Sequence, residues 1–566
     1  MNYIRTAQHP GSFRLKSLTR CVLTALCAAS TIGGAQAFTI DSDNADIKMS
    51  WDNTVKYSAG WRMADIDRRV ADNSIGPQVN TNDGDQNFKK GAMISNRVDL
   101  LSEFDLRYKK DFGFRLSGAA WYDDVYQHSN DNPGAMGGML SNSPSVKYNR
   151  FTKDTEKLHG RKAEFRDVFV YGNFAPADMN VNVKAGQYTQ LYGETLYFGY
   201  NGIAAAQTPL DLVRALSVPN SQFKEIALPV KQLSTQVQVN QNLSFGAYYQ
   251  LEWKKNRIPA AGSYFSFADF ADDGGEIINL GLHPVTGTPW ALTRAKDLEA
   301  SDSGQGGMQM KYKLGDYEFG VYAAQYHDKM PQFYARGDVV GGNNTYSLVY
   351  AEKIRTVGIS ASTLIGETNV ATEVSVRKNQ PFVATGVTMM TGPASNNDNN
   401  PAYPKGDSLH INVSAISVLG ATPLWDGASF VGEFAYNRRL KITDNAAALD
   451  PLATRSASAI QFVFQPEYFQ VLPGLDVQVP IGIGYGLKGN SSVAGVAALM
   501  PIEGGGNLSV GVKGEYQKVW QLGLNYTKYF GDKGSVIKYN TAAPELSYKN
   551  FHGDRDFISL SVQRTF

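Results

Sequence analysis

Charged residues recur at every second position in long stretches of this chain, opposite an apolar series. Lys48, Asp52, Arg97, Glu103, Arg115, Glu164, Arg166, Glu373 and Arg377 all stand this way, as do Lys56, Asp99 and Glu433. Successive side chains of a strand point to opposite faces, so these charges share one face and turn away from the apolar one. Both signs occur. Such groups either neutralise one another across an enclosed space and hold a wall together, or line a passage with weak ion selectivity. A second group lies in 203–229, where "LDLVRAL" and "FKEIALPV" mix apolar residues with Arg214, Lys224 and Glu225. Folded inward, that segment would shelter Leu210, Leu212, Val213 and Leu216 against a wall and aim the three charges at a passage, making a pore constriction. Otherwise it lies over a mouth or in a subunit contact.

Catalytic and metal chemistry has little to work with. The histidines beyond residue 37 are His128, His159, His283, His327, His410 and His552. Of these, His410 clearly falls within a strand pattern, with Ser408 two residues away on the same face. A nucleophile needs a base held beside it, and a two-residue spacing alone does not supply that, so no enzyme activity is expected. "NTNDGDQN" at 80–87 gathers oxygens that could meet Ca²⁺ but lacks the full ligand spacing, so it reads as a solvated turn. No metal ligand set and no cofactor are expected.

The alternation itself names the elements. "IKMSWDNTVKYSAGW" puts Ile47, Met49, Trp51, Val55, Tyr57 and Trp61 on one face and Lys48, Ser50, Asp52, Thr54 and Lys56 on the other. About eighteen such segments (16–20) can be counted, the first near residue 46 and the last near 556, with others starting near 180, 230, 317, 428 and 456. Short turns such as 109–112, 314–316 and 365–368 take turns with long connections such as 62–95, 127–161, 190–229, 255–306 and 379–406. The pattern predicts an all-β fold, a transmembrane antiparallel β-barrel with short periplasmic turns and long extracellular loops. The 30 Tyr, 28 Phe, 7 Trp and 55 Gly suit such a fold. Mean hydropathy is −0.29, and no stretch past the leader carries the ~18 consecutive apolar residues of a membrane helix.

The ends set the compartment. Arg5, Arg14, Lys16 and Arg20 precede the apolar run "CVLTALCAASTIGGA", and "AQA" at 35–37 fits a small-x-small cleavage site. Residues 1–37 therefore read as a signal peptide cut after Ala37, leaving 38–566 as the barrel. Both cysteines lie in the leader, so disulfides and thiolate chemistry are excluded from the mature chain. Taking the four leader cations from 54 leaves 50 against 53 acids, and no basic patch points to nucleic acid. The chain closes on "FISLSVQRTF", whose last strand must pair on both sides to leave no edge in lipid. The terminal Phe566 resembles the assembly signal of Gram-negative outer-membrane barrels, with Arg564 where an apolar residue is usual. The expected location is the cell outer membrane, and the expected partners are outer-membrane lipid and the barrel-assembly machinery.

"RDVFVYGNF", "AGQYTQLYGET" and "TPLDLVRALSVPNSQFKEIALPV", within 162–254, resemble conserved-looking segments of a Gram-negative outer-membrane family, domain of unknown function 1302. Gln187 stands where that family has Arg, and Tyr192 where it has Trp. The resemblance implies a barrel and an association with export or uptake of apolar compounds. The reading is a barrel channel passing a solute. The alternative is a plugged, non-conducting barrel that docks a periplasmic partner protein or acts at the surface.

Overall fold

The computed structural model describes residues 38–40, 42–71, 79–134, 140–283, 286–337, 344–385, 389–390, 394–493, 500–538 and 545–566. The leader and its expected cleavage after Ala37 lie outside the described residues.

Eighteen antiparallel strands close into a ring: β1 (Ile47–Arg62), β2 (Met93–Tyr108), β3 (Phe112–Asp123), β4 (Arg161–Phe174), β5 (Asn180–Tyr188), β6 (Val230–Gln238), β7 (Leu243–Gln250), β8 (Gln305–Leu314), β9 (Tyr317–Tyr326), β10 (Ile354–Ile365), β11 (Thr368–Pro381), β12 (Lys405–Leu419), β13 (Gly427–Asp444), β14 (Ser456–Leu472), β15 (Leu475–Gln478 with Ile481–Lys488), β16 (Gly506–Tyr516), β17 (Trp520–Phe530) and β18 (Phe557–Thr565). β15 is one strand in two pieces because Pro480 has no N–H to give to the ladder. Each strand pairs with its sequence neighbours, and short and long connections alternate as the sequence predicts.

The ring closes where β18 meets β1, from Thr54 opposite Thr565 to Arg62 opposite Phe557. Phe566 and Asn53 then exchange both backbone hydrogen bonds, at 2.9 and 2.8 Å. Below them Phe38–Ile40 pairs along Met49–Trp51, so the remaining edge of β1 is covered as well. Arg564 lays its guanidinium 5.1 Å from the centre of the Trp520 ring. It sits at the short-turn margin and is buried there, 7% exposed. Deleting Phe566 removes the last pair of ladder bonds and the terminal aromatic. The heat-modifiable folded band in membrane fractions is expected to fall several-fold, and an unchanged band would make the ending incidental.

Outward positions carry the apolar series, among them Met308, Met310, Phe319, Val321, Val357 and Ile359, all exposed on the isolated chain. They form the band that a bilayer covers. The inward face is polar and its charges are buried: Lys56, Arg97, Asp99, Glu103, Arg166, Glu373, Arg377 and Glu433.

The long connections are more ordered than their polar composition suggests. Ile277–Leu282, Pro289–Arg294, Gln332–Arg336, Thr345–Val349 and Met389–Met390, from three different connections, form a second sheet of five strands. Ile258, Phe267, Phe270, Leu292, Met330 and Tyr346 pack into its core. This cap stands over the long-loop end of the barrel.

Candidate functional site

The site is built by the chain between β5 and β6. It leaves the wall at Tyr188 and rejoins at Val230, which pair directly with each other, so residues 189–229 make an excursion from one point of the wall. That excursion touches β2, β4, β11, β12, β13 and β18. β2 and β11 lie half the ring apart, so the segment spans the lumen.

Its first half is held by two carboxylates of the far wall. Glu373 of β11 accepts the N–H of Glu194 at 2.8 Å and of Ile203. Glu433 of β13 accepts the N–H groups of Leu196, Tyr197 and Phe198, while the Asn412 amide holds its other oxygen at 2.7 Å. Arg377 donates to the carbonyls of Tyr200 and Gly202, at 2.9 and 2.8 Å. A carboxylate that accepts several backbone N–H groups replaces the water that irregular backbone would otherwise need. Ile203 packs among Tyr192, Tyr248 and Tyr322, and Phe198 among Ala435, Ala457 and Ala459.

The second half is held by charge pairs on the near wall. Asp211 caps the short helix Leu212–Ser217 by accepting the Arg214 N–H at 2.8 Å, the expected use of an Asp three residues ahead. Arg214 then bridges Asp99 of β2 and Glu225 of its own segment, both at 2.8 Å. Arg97 also binds Asp99, at 2.7 Å. Lys224 reaches Glu103 at 2.7 Å, and Arg115 holds Glu103 and Asp105. Arg166 donates to the carbonyls of Lys224, Glu225 and Ala227. Arg257, from the connection after β7, joins Glu164 at 2.8 Å to Asp211 at 2.6 Å. The guanidiniums of Arg97, Arg214 and Arg257 all lie within 6.0 Å of the Trp121 ring centre. A bulge opposite Leu116–Gly118 turns both Arg166 and Asp167 inward.

Arg214, Glu225, Arg97, Glu103, Arg115, Glu164 and Arg166 are thus brought together with Lys224, and Glu373 and Arg377 face them from the other side. Lys48 stands apart, nearer the short turns and opposite Arg107, whereas Asp52 lies opposite Glu103 at the margin of the cluster. The charges do not stand free in a pore. Arg214 is 5% exposed and doubly paired, whereas the Lys224 side chain is half exposed. Of the apolar residues of the helix, Leu212 packs on the cap core, Val213 on Leu158 and Ala260, and Leu216 on the cluster around Phe88. The cluster around Phe88 includes Ile94 of β2 and Tyr529 of β17, so the long connections and the wall shelter the helix together. Asp211, Arg257, Asn201 and Trp121 complete the site without a signal in the sequence, apart from the Asp-x-x-Arg capping spacing.

Ser408 and His410 do touch, at 2.8 Å, and the other ring nitrogen of His410 lies 3.0 Å from the Asn201 oxygen. Both side chains are fully buried, and Asn201 also binds Asn412 and Asn437. The trio fastens the inserted segment to β12 and offers no open face to a substrate. Asp83 and Asp85 of the 80–87 turn are engaged by protein groups, Asn132 and the Arg62–Arg555 pair respectively. Among the described residues no group of three or more His, Cys, Asp or Glu side chains could hold a metal ion.

Residues 18–566 match the model of the family described as "Protein of unknown function (DUF1302)". The chain belongs to this family. No curated protein matches it. Among solved structures, OccAB1 of Acinetobacter baumannii is 11% identical, with 94% of this chain and 99% of that chain covered at a TM-score of 0.41. OpdK of Pseudomonas aeruginosa, solved with vanillate, is 10% identical, with 92% and 98% covered at a TM-score of 0.39.

The residues that carry the DUF1302 resemblance have physical work here. Gly186 has φ +136, and a Cβ there would lie 2.3 Å from the Val168 carbonyl oxygen. It lets β5 bend where the chain prepares to leave the wall. Gly193 has φ +98, and a Cβ would fall 2.3 Å from Glu373 Oε2. Only glycine lets that carboxylate reach the Glu194 N–H. Gly193→Ala combines a strained φ, worth about 1–3 kcal/mol, with displacement of Glu373. Single-channel currents are expected to become larger and noisier at preserved folded yield, because residue 193 is outside the ring ladder. Quiet parental currents would make the Glu373 clamp dispensable.

Proposed function

We propose that this DUF1302 protein is an outer-membrane channel whose conductance is set by the inserted segment 189–229. The observation that carries the reading is a closed ring of eighteen strands crossed by a segment tied to opposite walls. A ring of this size leaves room for an aqueous path unless loops fill it. A cavity of about 290 Å³ lies on the short-turn side of the segment, between Asn220–Gln222 and β16–β18. Lys56 borders this cavity and also the charged cluster around Arg214. Paired charges of both signs support passage with weak ion selectivity, and no enzymatic step is assigned.

The outward apolar band and the leader-like pattern expected of residues 1–37 support placement in the outer membrane. N-terminal sequencing of membrane-extracted protein is expected to begin at Phe38, and a chain retaining residues 1–37 would overturn the export argument. Lipid and the assembly machinery are the partners this reading requires.

The second reading is a plugged barrel that docks a periplasmic protein. The apolar core of the cap and the near-complete pairing of the lumen charges favour it. Purified protein in planar bilayers separates the two: discrete, ohmic current steps in KCl support the channel, and their absence with fully folded protein supports the plug.

A further inference from the structure

The wall has a step. β4 pairs with β5 only from Val168 to Phe174, while Arg161–Asp167 continue upward with β3 alone as partner. The strand that would cover that edge is missing because the chain turns inward at Tyr188. The Gln187 side chain substitutes at one place only, donating to the carbonyls of Phe165 and Arg166.

A cavity of about 560 Å³ opens at this step. Its rim includes Phe165 and Gln187, which point outward, and Phe165 is 70% exposed. Its inner end reaches Arg166, Glu164 and Arg257, which point inward and belong to the charged cluster. The cavity therefore passes through the barrel wall. It lies at the upper margin of the apolar band: Val170, Leu233 and Leu251 are exposed beside it on the same outer face. The cap core stands above the axial mouth, and the step offers an approach from the side.

The lining suits an amphiphile. Phe165, Leu228, Pro229 and Trp253 supply apolar surface, and five cations face four carboxylates. At the inner end two guanidiniums share one carboxylate, Glu164. Beyond it, Glu164 and Arg166 also border the small cavity holding Asp99, Arg214, Glu225 and Lys56. Lys56 is 2% exposed, and its ammonium has no hydrogen-bond partner among the described residues. A buried unpaired ammonium is costly, and an anionic group passing beside it would satisfy it. Lys56 in turn borders the cavity that leads towards the short turns.

We propose that the β4–β5 step is a lateral portal through which an anionic amphiphile dissolved in the outer leaflet enters, its head group passing Arg257, Arg166 and Lys56 in turn. This rests on the channel reading above. The test uses decanesulfonate in planar bilayers, with methanesulfonate as the same head group without a chain and decyltrimethylammonium as the same chain with opposite charge. Decanesulfonate is expected to interrupt the KCl current, with each control interrupting it at least about ten-fold less often. The mature chain has no cysteine, so Phe165→Cys can be capped by a bulky maleimide before reconstitution. Capping is expected to lower the frequency of decanesulfonate interruptions at least about ten-fold while open conductance is kept. Capping Leu314→Cys, an outward residue at the opposite end of the wall, is expected to change neither. Equal interruption by either control compound, no interruption of the parent, or indifference to the cap at residue 165 overturns the portal while leaving the channel standing. Absence of any KCl current overturns the channel reading itself.

Discussion

Removing residues 208–224 is expected to raise single-channel conductance several-fold and to leave the barrel folded. The deletion takes out the helix Leu212–Ser217 and Lys224 but spares the clamp of Glu373 and Glu433 on the first half of the segment. It also spares the ring, whose ladder does not include these residues. The wall charges left behind keep partners: Arg97 stays with Asp99, Arg115 with Glu103, and Arg166 with Glu164. Water admitted to the widened lumen solvates the rest. Conductance equal to the parent's, with normal folded yield, would place the narrowest point elsewhere.

Selectivity needs a gentler change. Arg214→Glu would set a carboxylate against both Asp99 and Glu225, and breaking such a buried arrangement costs about 3–5 kcal/mol. It would displace the segment as well as alter the field. Lys224→Glu is the cleaner variant, because its head is half exposed and Glu103 retains Arg115. The local fixed charge falls by two, and a charge in a narrow low-dielectric passage acts strongly on ions. The reversal potential in a KCl gradient is expected to move towards cations in both variants, with a rise in conductance only for Arg214→Glu. A parental reversal potential in Lys224→Glu would remove Lys224 from the passage.

The ring was legible because a period of two leaves its mark wherever one face meets lipid and the other does not. Segments predicted to start near 180, 230, 317, 428 and 456 begin at Asn180, Val230, Tyr317, Gly427 and Ser456. A break such as Pro480 does not disturb the alternation on either side. The cap was not legible. Its strands are short, come from separate connections, and pair in part in parallel, as Thr293 does with Thr345. Nothing local announces such pairings, and "FSFADF" reads as an irregular loop until Phe267 and Phe270 are seen in one core. For the site, the unusual mixture around Arg214 was visible, but its partners were not. Asp99 lies 115 residues from Arg214 in sequence, and only the folding of the segment into the lumen brings them together. The bulge at Arg166 and Asp167 resets the alternation in a way that parity alone misses.

The largest stability effect is expected from Asp85→Ala, far from the constriction. Arg62 is the last residue of β1, at the seam where the ring closes. Its guanidinium binds Asp85 at 3.3 Å and Asp554 at 3.1 Å, and donates to the carbonyls of Asp85, Phe88 and Asp554. Arg555 meets Asp85 at 2.8 Å and donates to the carbonyls of Tyr264 and Ser266. All four charged side chains are at most 1% exposed. Burial alone would raise Asp85, but the Arg555 and Arg62 guanidiniums hold it below the ordinary carboxylate range. Alanine leaves two buried guanidiniums facing Asp554 alone, and breaking a buried pair in this way costs about 3–5 kcal/mol. Three connections lose their common anchor at once, which leaves the seam between β18 and β1 to its ladder, the Arg62–Asp554 contact, the Thr54–Thr565 hydroxyl pair and the Phe566–Asn53 bonds. The folded band is expected to convert to the unfolded one at a clearly lower temperature in heat-modifiability gels. Asp65→Ala, which removes the exposed pair with Lys90, is expected to leave that temperature unchanged, since exposed pairs contribute little. Equal behaviour of the two variants would show that the seam does not depend on the buried network, and that the ladder alone keeps the ring closed.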